Sequence, residues 1–372
     1  MKRDFTKLLV VIGVITAVLV AASQGGGPIL KPVLDPVARI FSSETQGPDI
    51  SATETAQGGQ GPTSSTQVPA TASATTEKRE ELIQVALELI NEDRAKFGLP
   101  PVELGTNTAA QLHADNMLEH RYLSHWTVDG LKPYMLYSMT AGDGYVAENA
   151  AYSGWTFEDY ESNRCGSLFV NCQNVVPQEE MEDLHWRMMY DDADSDWGHR
   201  DNILRPYHQY VNIGIAWNDW FVAFVQHFES RRVELLEEPL LTNGRLSLAF
   251  ELTDPEYVDV GQLLSIYHDP TPVLHTAQEL NTEGPRSYCL GGGFTAECPD
   301  PAGAVLRPPR PGFRYTDLDE TDVVADDWTV DGRQYRIEAD VSGILRTPGV
   351  YTVVVWSADH DVPLLERSFF ID

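Results

Sequence analysis

The amino-acid sequence predicts an α+β protein in which a region of mixed helices and strands is followed by an all-β region. Apolar residues recur at helical spacing from Leu82 to Phe97, as on the buried face of an amphipathic helix. After about Glu238 the period changes to two, with alternating apolar residues at Leu246, Leu248, Phe250 and Leu252. A length of 372 residues accommodates two domains of ordinary size.

The charge of the chain separates it from proteins that bind nucleic acid or anionic lipid. The formal net charge is -30, while 42% of the residues are hydrophobic, enough for a sizeable core. A surface this acidic repels phosphate backbones and anionic headgroups. We therefore expect no nucleic-acid partner, and we interpret the acidity as a contribution to solubility.

Residues 1–27 are typical of a signal peptide or a membrane anchor. Lys2, Arg3 and Lys7 precede an apolar run from Leu8 to Ala22, which is the order of charged and apolar residues in an export signal. The run is shorter than the about 20 residues that span a bilayer, so cleavage and retention as an anchor both stay open. The sequence predicts an extracytoplasmic protein, either secreted or attached to the membrane by this segment.

Residues 28–78 are predicted to form a disordered stalk. Most of this stretch is rich in Ser, Thr, Gly, Gln and Pro. Such a composition buries too little apolar surface to offset the entropy lost on ordering the chain. We expect ordered structure to begin at about residue 79.

Turn signals divide residues 239–372 into short strands. The dipeptides Asn243-Gly244 and Asp331-Gly332 are typical of two-residue hairpin turns. Several strands with turns between them, and no helical periodicity, predict an antiparallel β-sandwich of immunoglobulin-like type. No catalytic constellation is visible in this region, so we expect a spacer or adhesion role by analogy with similar folds.

Four cysteines form two local pairs, Cys165 with Cys172 and Cys289 with Cys298. Neither spacing is that of a CxxC zinc or redox motif. Each pair can close a short loop, and disulfides fit export into an oxidising compartment. We therefore predict two disulfides; the alternative is four free thiols.

Five motifs between residues 79 and 231 occur in the order found in one known family. After an opening that reads LINEDRAKFGLPPVEL and AAQLHADNMLEHRYLSH, the five motifs are YLSHWTVDG, VAENAAYSG, WGHRDNIL, YVNIGIAW and WFVAFVQHF. Together they resemble the microbial type of the CAP superfamily, the SCP-like proteins that include cysteine-rich secretory proteins, antigen 5 and pathogenesis-related proteins. The motif VAENAAYSG departs from the family in having Ala147 where Gly is usual. The resemblance implies a CAP domain with a three-layer α-β-α sandwich over residues 79–231.

The resemblance also implies a polar cleft that gathers two histidines and two acidic residues. The matching positions in this sequence are His125, Glu148 and His199. The family's second acid precedes the His199 motif, and we assign it to Asp192, which lies one helical turn after Met188 and can extend a buried helix face.

The fourth cleft position has competitors. Asp191, Asp194 and Asp196 lie in the same stretch, and Asp196 is our second choice after Asp192. The family's usual acid at this position is Glu, and its absence here weakens the case for tight metal binding.

Imidazoles beside carboxylates are a donor set that suits zinc in an open site. We expect His125 and His199 to be the metal ligands. Glu148 is the candidate base if the site is catalytic, because histidine and carboxylate groups can transfer protons near neutral pH.

The other histidines receive structural interpretations. His113 lies among apolar helix neighbours and is expected to be a core histidine bonded to backbone. No motif assigns a functional role to three others, His120, His208 and His227. We expect them at the surface or at the rim of the cleft.

Three functions stay open, and we favour the first. The first is an extracellular binding protein that holds a metal or a small hydrophobic ligand, or that binds an extracellular protein. The aromatic residues between Tyr134 and Tyr160 would then line a lipid groove; the alternative is that they pack the core. A zinc-dependent hydrolase would use a metal-bound water. A structural envelope protein would leave the cleft unused.

Overall fold

The structure, a computed structural model, describes residues 70–154, 174–256, 259–282, 288, 290, 301–316, 318–358 and 362–372. Helices and several β-sheets are both present, which confirms the α+β class. The predicted signal or anchor and all four cysteines of the predicted disulfides lie outside the described residues. No helix in the described part of the chain is both long and apolar enough to cross a membrane.

The described residues all belong to one compact unit, Gly58–Asp372. The described residues of its N-terminal half form five α-helices, a 3-10 turn and four strands. In chain order these are α1 (Ala70–Lys96), β1 (Glu103–Leu104), α2 (Ala109–His120), α3 (Pro133–Met139), β2 (Tyr145–Gly154), α4 (Pro177–Tyr190), the 3-10 turn (Ala193–Ser195), α5 (Gly198–Leu204), β3 (Tyr210–Trp217) and β4 (Phe221–Ser230). Helix α1 thus begins inside the range that composition assigns to the stalk.

The C-terminal half of the unit contains nine strands and one short helix among its described residues. In chain order these are β5 (Val233–Thr242), β6 (Arg245–Leu252), β7 (Val260–Asp269), α6 (Ala277–Thr282), β8 (Gly303–Leu306), β9 (Asp322–Val324), β10 (Asp327–Asp331), β11 (Gln334–Asp340), β12 (Gly349–Ser357) and β13 (Pro363–Ile371).

The first sheet has the strand order β1-β3-β4-β2 and is covered by helices on both faces. Phe224 and Phe228 of β4 pack in one core with α1, α4 and α5, while Ala223 and Val225 pack in another with α2. This division follows from the alternation of side chains along a strand. Gly214 of β3 has a packing role, because a Cβ there would lie 2.0 Å from the carbonyl oxygen of Ala110 in α2.

Arg94 connects α1 to the region around α5. Its side chain is fully buried, and its guanidinium donates hydrogen bonds to four backbone carbonyls. These belong to Pro100, Ile203, Arg205 and His208. A buried guanidinium needs such acceptors, so Arg94 fixes the end of the WGHRDNIL motif and the segment after it against the end of α1.

Two further sheets, with strand orders β10-β11-β6-β5 and β13-β12-β7-β8-β9, share one hydrophobic core. The predicted hairpins are confirmed, since Asn243-Gly244 joins β5 to β6 and a turn that contains Gly332 joins β10 to β11. The second turn consists of Gly332-Arg333 rather than Asp331-Gly332, because Asp331 still pairs with Gln334. The expectation of a purely antiparallel arrangement is wrong at one place, because β8 pairs with β9 in parallel. An immunoglobulin-like topology stays a prediction.

The C-terminal half covers the open edge of the first sheet at β2. The backbone N–H of Glu366 in β13 donates to the carbonyl oxygen of Gly144 at 3.0 Å, and the N–H of Val146 donates to Glu366 Oε1 at 3.0 Å. Unpaired backbone groups on an edge strand otherwise invite pairing with other chains. The two halves therefore share hydrogen bonds at the strand that carries Glu148.

Candidate functional site

Glu148 is the centre of a buried cluster of three histidines. Its Oε2 accepts hydrogen bonds from His113 Nδ1 at 2.7 Å and from His227 Nε2 at 2.6 Å. Its Oε1 receives His125 Nδ1 at 2.7 Å. The carboxylate, His113 and His227 are excluded from water, whereas 21% of the His125 side chain is exposed. His125 is thus the member of this cluster that meets solvent.

Strand register and helix packing bring this cluster together. Glu148 of β2 pairs directly with His227 of β4 in the antiparallel ladder, and side chains of such a pair lie on the same face. His227 shares its face with Val225, against which α2 packs, and His113 lies on α2. His125 follows α2 in the loop that leads to α3.

The charges around Glu148 decide its ionisation. Burial alone raises the pKa of a carboxyl group. At Glu148 the charge of His113 and hydrogen bonds from His113, His125 and His227 outweigh burial and hold the pKa well below its usual range. The carboxylate is therefore ionised and acts as a hydrogen-bond acceptor for all three rings.

The site contains a second pair of an acid and a histidine, Asp192 and His199. Asp192 Oδ1 receives His199 Nδ1 at 2.6 Å, and Oδ2 receives the backbone N–H groups of His199 and Arg200 at 2.9 and 3.2 Å. Asp192 is buried, while 22% of the His199 side chain is exposed. The carboxylate therefore fixes both the start of α5 and the orientation of the imidazole.

The chain reaches this geometry through a tight turn. Asp196 and Trp197 have φ values of 51° and 63°, a left-handed conformation that is unusual for a bulky residue. The N–H of Trp197 donates to the carbonyl oxygen of Asp192 at 3.1 Å. This turn folds the start of α5 back onto Asp192.

Two asparagines connect the two acid–histidine pairs. Asn149 Nδ2 donates to the carbonyl oxygen of His199 at 3.0 Å. Asn202 Nδ2 donates to Asn149 Oδ1 at 2.9 Å and to the carbonyl oxygen of Glu148 at 3.2 Å. The network is continuous from the backbone of Glu148 to the backbone of His199.

A residue from the C-terminal half also lies in the site. The hydroxyl of Tyr288 donates to the carbonyl oxygen of Glu148 at 2.8 Å and accepts the backbone N–H of Glu148 at 2.7 Å. The rings of Tyr288 and His125 have centroids 4.6 Å apart. No sequence motif pointed to Tyr288.

The four predicted cleft residues occur as two contacting pairs. His125 touches Glu148, and Asp192 touches His199. Among the described residues, Asn149 and Asn202 connect the two pairs by hydrogen bonds. The reason given for Asp192 was wrong, since α4 ends at Tyr190 and Asp192 acts at the start of α5 instead. Its competitors Asp191, Asp194 and Asp196 are exposed.

Three histidines differ from their predicted environments. His113 is buried as expected, but it bonds the Glu148 carboxylate rather than backbone. His227 and His208 were expected at the surface or rim, and both are buried. The alternation of β4 could have indicated an inward His227, because it shares a face with Ala223 and Val225. The register that places it opposite Glu148 has no local signal.

Among the described residues, His113, Glu148 and His227 could hold a metal ion, because their candidate ligand atoms lie within 4.8 Å of one another. Their contacts of 2.6 and 2.7 Å are hydrogen-bond distances. Two ligands of a tetrahedral zinc ion lie about 3.3 Å apart, given bonds of about 2.0 Å. The cluster is better described as a carboxylate held by imidazole N–H donors.

The described aromatic residues near the site pack into the core. Tyr134 and Tyr137 are buried and bond Asp269 and Glu229, and Tyr152 stacks on Phe221. These contacts favour the core-packing interpretation over a lipid groove. Residues 155–160 of the predicted aromatic segment lie outside the described residues.

The comparisons with known proteins found a weak structural similarity and no match by sequence. No family model matches the sequence, and no curated protein matches it. One similar solved structure is a CAP domain of Enterococcal PrgA, with 13% identity and a TM-score of 0.24. The similarity covers 38% of this chain and 58% of that chain, so this chain spans little more than half of that structure. A likeness this weak supports no argument about fold or function.

Proposed function

We propose that residues 79–231 form a three-layer CAP domain whose site binds a zinc ion through His125 and His199. One observation carries the proposal. Each of these imidazoles donates Nδ1 to a buried carboxylate, Glu148 or Asp192, and each ring is partly exposed. In a neutral imidazole the other nitrogen, Nε2, then has the free lone pair.

This arrangement is the usual support for metal-ligating histidines. A carboxylate on one ring nitrogen fixes the tautomer and the orientation of the ring and raises the basicity of the other nitrogen. Zinc accepts neutral imidazole nitrogens and leaves a position for water or ligand in open sites. This donor chemistry supports a zinc ion held by the two histidines, with Glu148 and Asp192 as the carboxylates behind them.

Binding is favoured over hydrolysis by the state of Glu148. A general base needs a free lone pair and a pKa near the working pH. Both oxygens of Glu148 already accept hydrogen bonds, and its pKa is held low. The oxygens of Asp192 are likewise engaged. A zinc-dependent hydrolase stays the alternative and would need another base.

The wider role that we propose is that of an exported binding protein. The predicted N-terminal signal or anchor, the predicted stalk and the expected disulfides support an extracytoplasmic location, either secreted or at the membrane. The C-terminal region, proposed as an immunoglobulin-like sandwich, would present the site to an extracellular protein. A small hydrophobic ligand is the second candidate partner.

Calorimetric titration of metal-free protein with zinc tests the metal proposal. We expect one zinc ion per chain for the wild type, and at least about tenfold weaker binding for His125→Ala and His199→Ala. His120→Ala is the matched control, because His120 is exposed at the end of α2, and it should bind zinc as the wild type does. Unchanged affinity in His125→Ala would refute the proposal. Zinc-dependent cleavage of peptide or ester libraries would favour the hydrolase instead.

A further inference from the structure

We propose that Tyr288, contributed by the C-terminal half, is a positioning residue of the Glu148 site. Its hydroxyl fixes the main chain at Glu148, and its ring shields one side of His125. The consequence for zinc affinity rests on the proposed function, whereas the positioning role concerns the protein without metal.

The hydroxyl bonds the edge of β2 at a place where the described residues have no neighbouring strand. In an antiparallel sheet, every second residue of an edge strand turns both its N–H and its C=O away from its partner strand. Strand β2 is such an edge strand, and at Glu148 both groups bond the Tyr288 hydroxyl, at 2.7 and 2.8 Å. One side chain thus satisfies both outward-facing backbone groups of the residue whose carboxylate holds three histidines.

The chemistry of Tyr288 suits this position. Burial and the charge of Glu148 raise the pKa of the Tyr288 phenol, so the hydroxyl stays protonated and can both donate and accept. The ring is tilted by 58° to the His125 ring, with centroids 4.6 Å apart. The aromatic ring therefore lies over the partly exposed member of the cluster and restricts access to it.

The chain before Tyr288 is docked on the loop that carries His125. The N–H of His275 donates to the carbonyl oxygen of Val128 at 2.7 Å. Asn281 accepts the N–H of Leu123 at 3.0 Å and donates to the carbonyl oxygen of Arg121 at 3.1 Å.

Apolar packing reinforces this docking. Leu280 is fully buried in the core formed around α2. A Cβ at Gly130 would lie 2.6 Å from the carbonyl oxygen of Val273, so the two segments approach closely. Contacts before and after His125 in the sequence therefore hold the C-terminal half against this loop. The contact of Tyr288 with the site is part of this larger packed interface.

The test compares Tyr288→Phe, Tyr288→Ala and a matched control, Tyr315→Phe. Tyr315 also donates its hydroxyl to a backbone carbonyl, that of Arg307 at 2.6 Å, but it lies outside the site. Three measurements are made on full-length protein: amide hydrogen exchange at Glu148, the rate at which His125 reacts with diethyl pyrocarbonate, and zinc affinity. Exchange at Phe224, in the centre of the sheet, reports general destabilisation.

Different variants should separate the two roles of Tyr288. We expect Tyr288→Phe to accelerate exchange at Glu148 about tenfold, with exchange at Phe224 and His125 modification unchanged, because the ring remains. Tyr288→Ala should also accelerate His125 modification several-fold. Zinc affinity should fall about tenfold in both variants and stay unchanged in Tyr315→Phe.

Equal exchange at Glu148 in wild type and Tyr288→Phe would overturn the positioning role, as would equal His125 modification in wild type and Tyr288→Ala. Absence of zinc binding in the wild type would instead overturn the proposed function. Exchange and modification, measured without metal, would then still decide the role of Tyr288. A parallel increase of exchange at Phe224 would show a merely structural effect and would count against the proposal.

Discussion

Glu148 and Glu366 are two buried carboxyl groups near the same sheet edge, and their pKa values move in opposite directions. Each is 1% exposed, and Glu366 bonds the N–H of Val146, two residues before Glu148 in β2. The pKa of Glu148 is held well below its usual range by three imidazoles. Burial raises the pKa of Glu366 to about 8, against which only the Val146 hydrogen bond acts.

The difference shows that neighbours, and not burial, decide which carboxyl is charged. Among the described residues, no cationic side chain forms an ion pair with Glu366, whereas His113, His125 and His227 surround Glu148. At neutral pH the site therefore contains a fixed negative charge, while the junction between the two halves contains an uncharged carboxylic acid.

Removing the Glu148 carboxylate should have the largest effect on stability. Glu148→Ala leaves three imidazoles without their acceptor, two of them fully buried, and we expect the free energy of unfolding to fall by about 3–5 kcal/mol. Glu148→Gln retains one acceptor oxygen and should lose less. Urea denaturation followed by tryptophan fluorescence measures both. A loss below about 1 kcal/mol in Glu148→Ala would mean that the cluster contributes little.

Replacing Glu366 should raise the free energy of unfolding, whereas replacing Glu148 should lower it. The folded pKa of about 8 exceeds the ordinary value of 4.5, so between these values the unfolded chain releases a proton that the folded chain retains. The free energy of unfolding therefore falls as pH rises from 4.5 to 8. Glu366→Gln cannot titrate, and we expect it to stabilise the protein by about 2–3 kcal/mol at pH 7 and to have no such advantage at pH 4.

Thermal unfolding of wild type and Glu366→Gln, measured between pH 4 and pH 8, compares the pH dependence of their stabilities. Glu338→Gln is the control, since the Glu338 side chain is 55% exposed beside Arg245, and exposed ion pairs contribute about 0–1 kcal/mol. If wild type and Glu366→Gln lose stability in parallel as pH rises from 4 to 8, the buried neutral carboxyl is not the cause.

Asp192→Asn should have the smallest of these effects on stability. The amide oxygen can still accept a backbone N–H at the start of α5, so we expect a loss of about 1 kcal/mol. The loss of charge behind His199 should weaken zinc binding about tenfold if the proposed function is correct. Urea denaturation and zinc titration measure the two effects separately, and a zinc affinity equal to that of wild type would exclude Asp192 as support for a ligand.

Local patterns in the sequence determined much of the fold and half of the site. Helical periodicity predicted α1, and dipeptides with glycine predicted two hairpins, because period and turn conformation depend on residues close in the chain. The pair Asp192–His199 is also local, since the two residues are joined through one tight turn. Motif order was enough to propose His125 and Glu148 as neighbours.

Only the tertiary structure decided what surrounds Glu148. His227 reaches it through the β2–β4 register, and His113 through the packing of α2 on that face. Tyr288 and Glu366 reach the outer edge of β2 from the C-terminal half. Register and edge coverage depend on contacts between distant segments, which local periodicity does not encode, and these same contacts decide which buried carboxyl is charged.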